Sequence, residues 1–166
     1  MLQVRGATFA MFYALLTGSA TVSTVPGFPN DLRMKPIRTF LADDHPDVLE
    51  KLASLLGQPY DIVGLASDGQ TVIDGVQRLG PELLVLDISM PGMSGIEAVE
   101  KLKKSSFDPV VVFLTVHADS DFLRAALTAG AFGYVLKARL ATDLLPAIEA
   151  ALAGQIFISP FPTLKK

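Results

Sequence analysis

Two runs, "LLVLD" at 83–87 and "VVVFLT" at 110–115, limit what this chain can fold into more than any other feature. Each is strand-length, and neither alternates apolar with polar residues. A strand built from either must therefore be covered on both faces. Helices are the natural cover, and the intervening sequence supplies them. From Ile37 onward, strand patterns alternate with helical stripes through five units.

The first strand is "IRTFLA" (37–42), followed by Val48, Leu49, Leu52, Leu55 and Leu56 at helical spacing up to Gly57. "YDIVGLA" (60–66) is the second strand, and Val72, Ile73, Val76 and Leu79 stripe the next helix as far as Gly80. After strand three, Ser94 and Glu97 have capping-box spacing and open a helix with Ile96, Val99 and Leu102 inward. Strand four leads to Phe122, Leu123, Ala126 and Leu127, with Gly130 as the stop. "GYVLK" (133–137) is strand five. The spacing predicts a last helix capped by Thr142, with Leu144, Leu145, Ile148 and Leu152 inward and Pro146 in its opening turn. The fold class is α/β, a doubly wound five-stranded parallel sheet with right-handed crossovers.

Composition narrows the function classes. The chain has 166 residues, half of them hydrophobic, and a net charge of −3, which suits one core and argues against direct contact with nucleic acid. There is no cysteine, so disulfides, thiolate metal sites and thiol catalysis are excluded, and two histidines make a histidine-based zinc site improbable. The segment before Met34 carries Arg5, the apolar "TFAMFYALL" and the small residues "GSA", in the order of an export signal. It is too short and interrupted for a membrane span. Met34 stands immediately before the first strand. Residues 1–33 are thus read as an unassigned extension upstream of the true start, with a flexible tail and an export signal as the alternatives. The domain is placed at 35–155 and a short tail without an output domain at 156–166.

The polar residues of the sheet sit at strand ends. Asp43 and Asp44 follow strand one, and Asp87, Thr115 and Lys137 close strands three, four and five. Ligands of open α/β sheets bind beyond the carboxyl ends of the strands, where strand order reverses. If the order is 2-1-3-4-5, the three carboxylates meet there. Like charges at close range need compensation, and Mg²⁺ is the hard cation suited to carboxylates plus phosphate oxygens. Carboxylate, metal, ammonium and hydroxyl together make a site for phosphoryl transfer onto Asp87. Taken singly, each piece has a plainer reading: an Asp pair as a helix cap, a solvated lysine, a threonine of ordinary β-propensity.

"LADDHP", "LLVLDISMPGMSG", "VVFLT" and "AGAFGYVLK", in order over residues 35 to about 155, resemble a response-regulator receiver domain of two-component signalling. The wording from "LTVHADSDF" onward, with the closing "GQIFISP", is most similar to receivers that precede a LuxR-type helix-turn-helix. The resemblance implies the flavodoxin-like order 2-1-3-4-5, and a phosphoryl group accepted by Asp87 from a histidine kinase or histidine phosphotransfer protein. It also implies Mg²⁺ held by Asp44, Asp87 and the backbone carbonyl of Ser89, with Asp43 acting through water. Thr115 and Lys137 would hold the phosphoryl oxygens, and Tyr134 would be an aromatic switch that turns inward. The implied protein is cytoplasmic and not an enzyme beyond slow self-dephosphorylation. It would act through a downstream protein partner or a phosphorylation-dependent homodimer, without direct nucleic-acid or membrane contact.

Two departures from the family pattern bear on the site. Val116 stands where a small residue is common and is expected to shield the acyl phosphate, and Ala138 stands where a cis-proline is common. His45 reads as loop and cap, His117 as an exposed loop residue with at most a modulating role, and Phe157 and Phe161 as tail residues packing on the domain or a partner. The alternatives are a phosphorylation-silent binding module and a remnant of a transcription factor that lost its DNA-binding domain. A haloacid-dehalogenase-type phosphatase is disfavoured because the singled-out aspartate lies on strand three.

Overall fold

Buried strands alternating with amphipathic helices assemble as the sequence dictates. In the computed structural model, which describes residues 35–161, the element order is β1 (Ile37–Ala42), α1 (Pro46–Leu55), β2 (Tyr60–Ala66), α2 (Gly69–Leu79), β3 (Leu83–Asp87), α3 (Gly95–Lys104), β4 (Val110–Thr115), α4 (Ser120–Thr128), β5 (Gly133–Leu136), α5 (Leu140–Leu152) and β6 (Phe157–Ile158). A 3₁₀ turn, Lys137–Arg139, joins β5 to α5. The readings for residues 1–33 lie outside the described residues.

The sheet runs β2-β1-β3-β4-β5-β6, every pair parallel. The order of the first five strands is the expected one. The sixth strand is a correction, since Phe157 and Ile158 pair with Gly133 and Tyr134 and extend the sheet past strand five.

Because side chains alternate along a strand, each central strand feeds two cores. Leu84, Leu86 and Phe113 pack with Val72, Val76, Val99 and Leu102 of α2 and α3. Leu83, Val85, Val112 and Leu114 pack with Leu52 of α1 and with Leu144, Ala147 and Ile148 of α5. Phe40 is a central piece of the first core: a Cβ placed on Gly64 or on Gly75 would come within 2.5 Å of its ring. The ring therefore fills space that two missing side chains leave open. Phe161 packs on the first core and Phe157 on the second, so both tail aromatics rest on the domain.

The last helix departs from expectation. It begins at Leu140, two residues before the predicted cap, and its N-cap, Arg139, makes no side-chain cap bond. Pro146 consequently lies inside the helix rather than in its opening turn, which leaves the Thr142 carbonyl without an i→i+4 donor. The stripe is rotated as well. Leu140, Leu144, Ala147, Ile148 and Ala151 are buried, whereas Leu145 is 39% and Leu152 37% exposed. Among the described residues no helix is long and apolar enough to cross a membrane.

Candidate phosphoryl-acceptor site

Register sets the site. β1 and β3 pair Ala42 with Leu86, so Asp43, just past β1, and Asp87, the last residue of β3, lie at the same level. Both are buried, at 0% and 2% exposure. Lys137 opens the 3₁₀ turn beyond β5, and its ammonium spans the gap. Its Nζ stands 2.6 Å from Asp43 Oδ2 and 2.8 Å from Asp87 Oδ2. Among the described residues the one cis peptide is Gln58–Pro59, so the Lys137–Ala138 bond is trans, and Lys137 still reaches both acids.

The segment after Asp87 folds back hard against it. Gly95 N donates to Ile88 O at 2.9 Å, and a Cβ on Gly95 would lie 2.2 Å from Asp87 O. Only glycine fits there. The turn at Pro91-Gly92, with Gly92 at φ 77, makes the return, and Ser94 and Glu97 complete the expected capping box at the start of α3. Ser89 N donates to Asp87 Oδ1 at 3.2 Å.

Burial pushes the Asp87 carboxyl above the ordinary carboxylate range, against the lowering influence of Lys137. Burial alone would depress the Lys137 ammonium, but its contacts with Asp43 and Asp87 together outweigh that and hold it above the usual lysine value. The pair is thus a desolvated acceptor with a firmly charged partner.

Asp44 and His45 form the other wall. Ligand atoms of Asp43, Asp44 and His45 lie within 4.8 Å of one another. His45 is the N-cap residue of α1, as loop and cap predict, without a side-chain cap bond. Its Nδ1 lies 3.2 Å from Asp43 Oδ1 and 2.9 Å from Asp44 Oδ1, a closeness to the acidic pair that sequence reasoning did not assign. Asp43 Oδ2 and Asp44 Oδ1 are buried without a regular hydrogen bond from any described residue, their close neighbours being Lys137 Nζ at 2.6 Å and His45 Nδ1 at 2.9 Å respectively. Buried anionic oxygens left in this way are unusual. Three carboxylates against one ammonium also leave excess negative charge. An oxygen-rich, sulfur-free donor set with those two features fits a hard divalent cation such as Mg²⁺.

Thr115 is fully buried at the end of β4, one strand over from Asp87. Its Oγ1 accepts His117 N at 2.9 Å and so keeps its own proton to give away. The other end of the same residue is held too, because the Tyr134 hydroxyl donates to His117 O at 2.8 Å. Tyr134 is 0% exposed and already points inward. The His117 ring stacks on Phe122 with centroids 4.6 Å apart, and Nε2 lies 3.4 Å from Ser89 Oγ. Val116 is 69% exposed. Direct contacts thus join Asp43, Asp87 and Lys137, Asp44 abuts them through His45, and Thr115 meets Tyr134 through the backbone of His117.

Comparison with known proteins identifies the chain's relatives. The chain is 37% identical over 127 residues to the nitrate/nitrite response regulator protein NarL of Escherichia coli K12, an alignment covering 75% of this chain and 59% of that protein. It is 37% identical over 121 residues to the transcriptional regulatory protein LiaR of Bacillus subtilis, covering 72% and 57%. The chain therefore spans less than two thirds of these curated relatives. Among solved structures, a LuxR-family two-component response regulator from Aurantimonas sp. SI85-9A1 superposes with a TM-score of 0.71 at 35% identity, covering 75% of this chain and 91% of that one. Residues 39–149 match the response regulator receiver domain family, and the chain belongs to it.

Proposed function

We propose that this chain accepts a phosphoryl group on Asp87 from a phosphohistidine of a histidine kinase or histidine phosphotransfer protein, and signals by changing its protein contacts. Receiver domains of response regulators are phosphorylated on aspartate and bind Mg²⁺ in an acidic pocket. The observation that carries the assignment to Asp87 is the ammonium of Lys137 bridging it to Asp43 at 2.8 and 2.6 Å inside a buried pocket at the strand ends.

Lys137 engages Oδ2 of Asp87, which leaves Oδ1, with only the 3.2 Å contact from Ser89 N, as the more available nucleophile. That oxygen attacks phosphorus as the bond to the imidazole nitrogen breaks. Asp43, Asp44, Asp87 and the Ser89 carbonyl would hold Mg²⁺, which when bound supplies positive charge to the transferring phosphoryl oxygens. Lys137 and the Thr115 hydroxyl stabilise the same oxygens from the other side. Drawing Thr115 toward the phosphoryl group pulls on its bond to His117 N, and thereby on the loop that Tyr134 holds. The change would emerge on the face made by α4, β5 and α5, for a protein partner or a second copy. A phosphohistidine donor of this kind supports a cytoplasmic location, which is typical of response regulators.

The test is intact-mass measurement after incubation with Mg²⁺ and acetyl phosphate. A single phosphoryl adduct that disappears in Asp87→Asn is expected. No adduct, or one that survives the substitution, overturns the assignment.

A further inference from the structure

The turn that carries Lys137 has little packing of its own. Ala138 is exposed and so is Arg139. Yet the Lys137 ammonium touches two buried carboxylates at once. What fixes the turn lies on its far side. Leu136, the residue before Lys137, donates its N–H to Ser159 Oγ at 3.1 Å. Ser159 Oγ in turn donates to Asp143 Oδ2 at 2.6 Å. Arg139, which closes the turn, reaches the same carboxylate with Nε at 2.7 Å and Nη2 at 3.2 Å. Thr142 Oγ1 lies 2.8 Å from Asp143 Oδ1.

One buried carboxylate therefore grips the chain on both sides of Lys137. Asp143 is 5% and Ser159 0% exposed. Ser159 is itself anchored, its N–H donating to Tyr134 O at 2.8 Å beyond the last residue pair of β5 and β6. A charge-assisted, bidentate arginine contact plus hydroxyl donors is a strong and directional way to hold a carboxylate. None of these groups touches Asp43 or Asp87, so the network acts on the acceptor site through Lys137.

We propose that Asp143, with Arg139 and Ser159, is the positioning device for Lys137, and that the short C-terminal strand is a working part of the phosphoryl-acceptor site because it delivers Ser159. The inference rests on the reading of Asp87 as phosphoacceptor. Loosening the turn should let the ammonium drift from the two acids without removing any group that binds metal or phosphorus.

The test compares the full chain with Asp143→Asn, Ser159→Ala and Arg139→Gln. The last changes a half-exposed side chain and keeps the fold measurable if a buried change does not. Phosphorylation by acetyl phosphate should slow about three- to tenfold in each, the scale expected when a reacting group is slightly misplaced. Mg²⁺ binding should be retained or strengthened, because its ligands are untouched and a competing ammonium has moved away from them. The side-chain NMR resonance of Lys137 Cε, assigned by its loss in Lys137→Arg, should move toward those of the solvent-exposed lysines. A merely structural role would leave that resonance in place. Variants that react at the parent rate, or whose Lys137 resonance does not move, overturn the positioning role alone. A parent chain that takes no phosphoryl group overturns the Asp87 reading and this inference together.

Discussion

Asp143 also allows a prediction about stability against pH. The Arg139 guanidinium, against the opposing effect of burial and with help from Ser159 and Thr142, lowers its pKa from the ordinary 3.8 to about 2. A carboxyl group whose folded pKa is depressed contributes stability above its unfolded pKa. That contribution is lost as pH falls toward the folded value. At about 1.36 kcal/mol per pH unit, the shift contributes about 2 kcal/mol at neutral pH. About 1 kcal/mol of this is gone by pH 3, and most of it by pH 2. The Arg139 side chain that contributes most is 43% exposed, so solvent screening reduces the effect and about 2 kcal/mol is its upper bound. Urea unfolding of the parent and Asp143→Asn at pH 7, 5 and 3 reads the linkage directly. The variant should be less stable by up to about 2 kcal/mol at pH 7 and pH 5, and the gap should shrink by about half at pH 3. A gap that is constant across this range, or that widens in acid, would refute the assignment of a charged, hydrogen-bonded Asp143.

Two further outcomes follow from the geometry of the acceptor loop. Gly95→Ala forces a methyl group into the Asp87 carbonyl, so it should cost about 1–3 kcal/mol in thermal or chemical unfolding and slow phosphorylation by displacing Asp87; a variant matching the parent in both would show that the close approach is relaxed in solution. Val116→Ala, which trims a side chain beside Thr115, should raise the rate of acyl-phosphate hydrolysis about two- to threefold by admitting water, measured as loss of the mass adduct after removal of acetyl phosphate; an unchanged rate discards the shielding role.

The sheet was readable because its strands are apolar on both faces and its helices keep regular stripes. Asp87 and Lys137 were readable for a related reason: a charge that ends an apolar strand must have somewhere to go. The last helix was less legible. Thr142 looks like a cap and Pro146 like a first-turn residue, but the 3₁₀ turn at Lys137–Arg139 feeds the helix earlier, and tertiary burial of Leu140 and Ala147 decides its rotation. A two-residue strand such as Phe157–Ile158 has too few residues for any periodicity to register. The Asp143 network was invisible for another reason. Arg139 and Asp143 have ordinary helical i, i+4 spacing, and nothing in "FISP" says that its serine closes a circuit sixteen residues back. His45 touches both acidic neighbours only because the chain bends at the N-cap of α1.

The pairing of Ala42 with Leu86 makes the acceptor site a matter of counting. Side chains of a strand point alternately up and down, so one residue inserted within β3 would present Leu86 to Lys137 and one deleted would present Ile88, and either would drive the aspartate into the hydrocarbon that those two residues occupy. No neighbouring substitution could repair such a frameshift in space. Length polymorphism in this protein is therefore tolerable in its loops and ruinous inside its two central strands, whatever the hydrophobicity of the residue gained or lost.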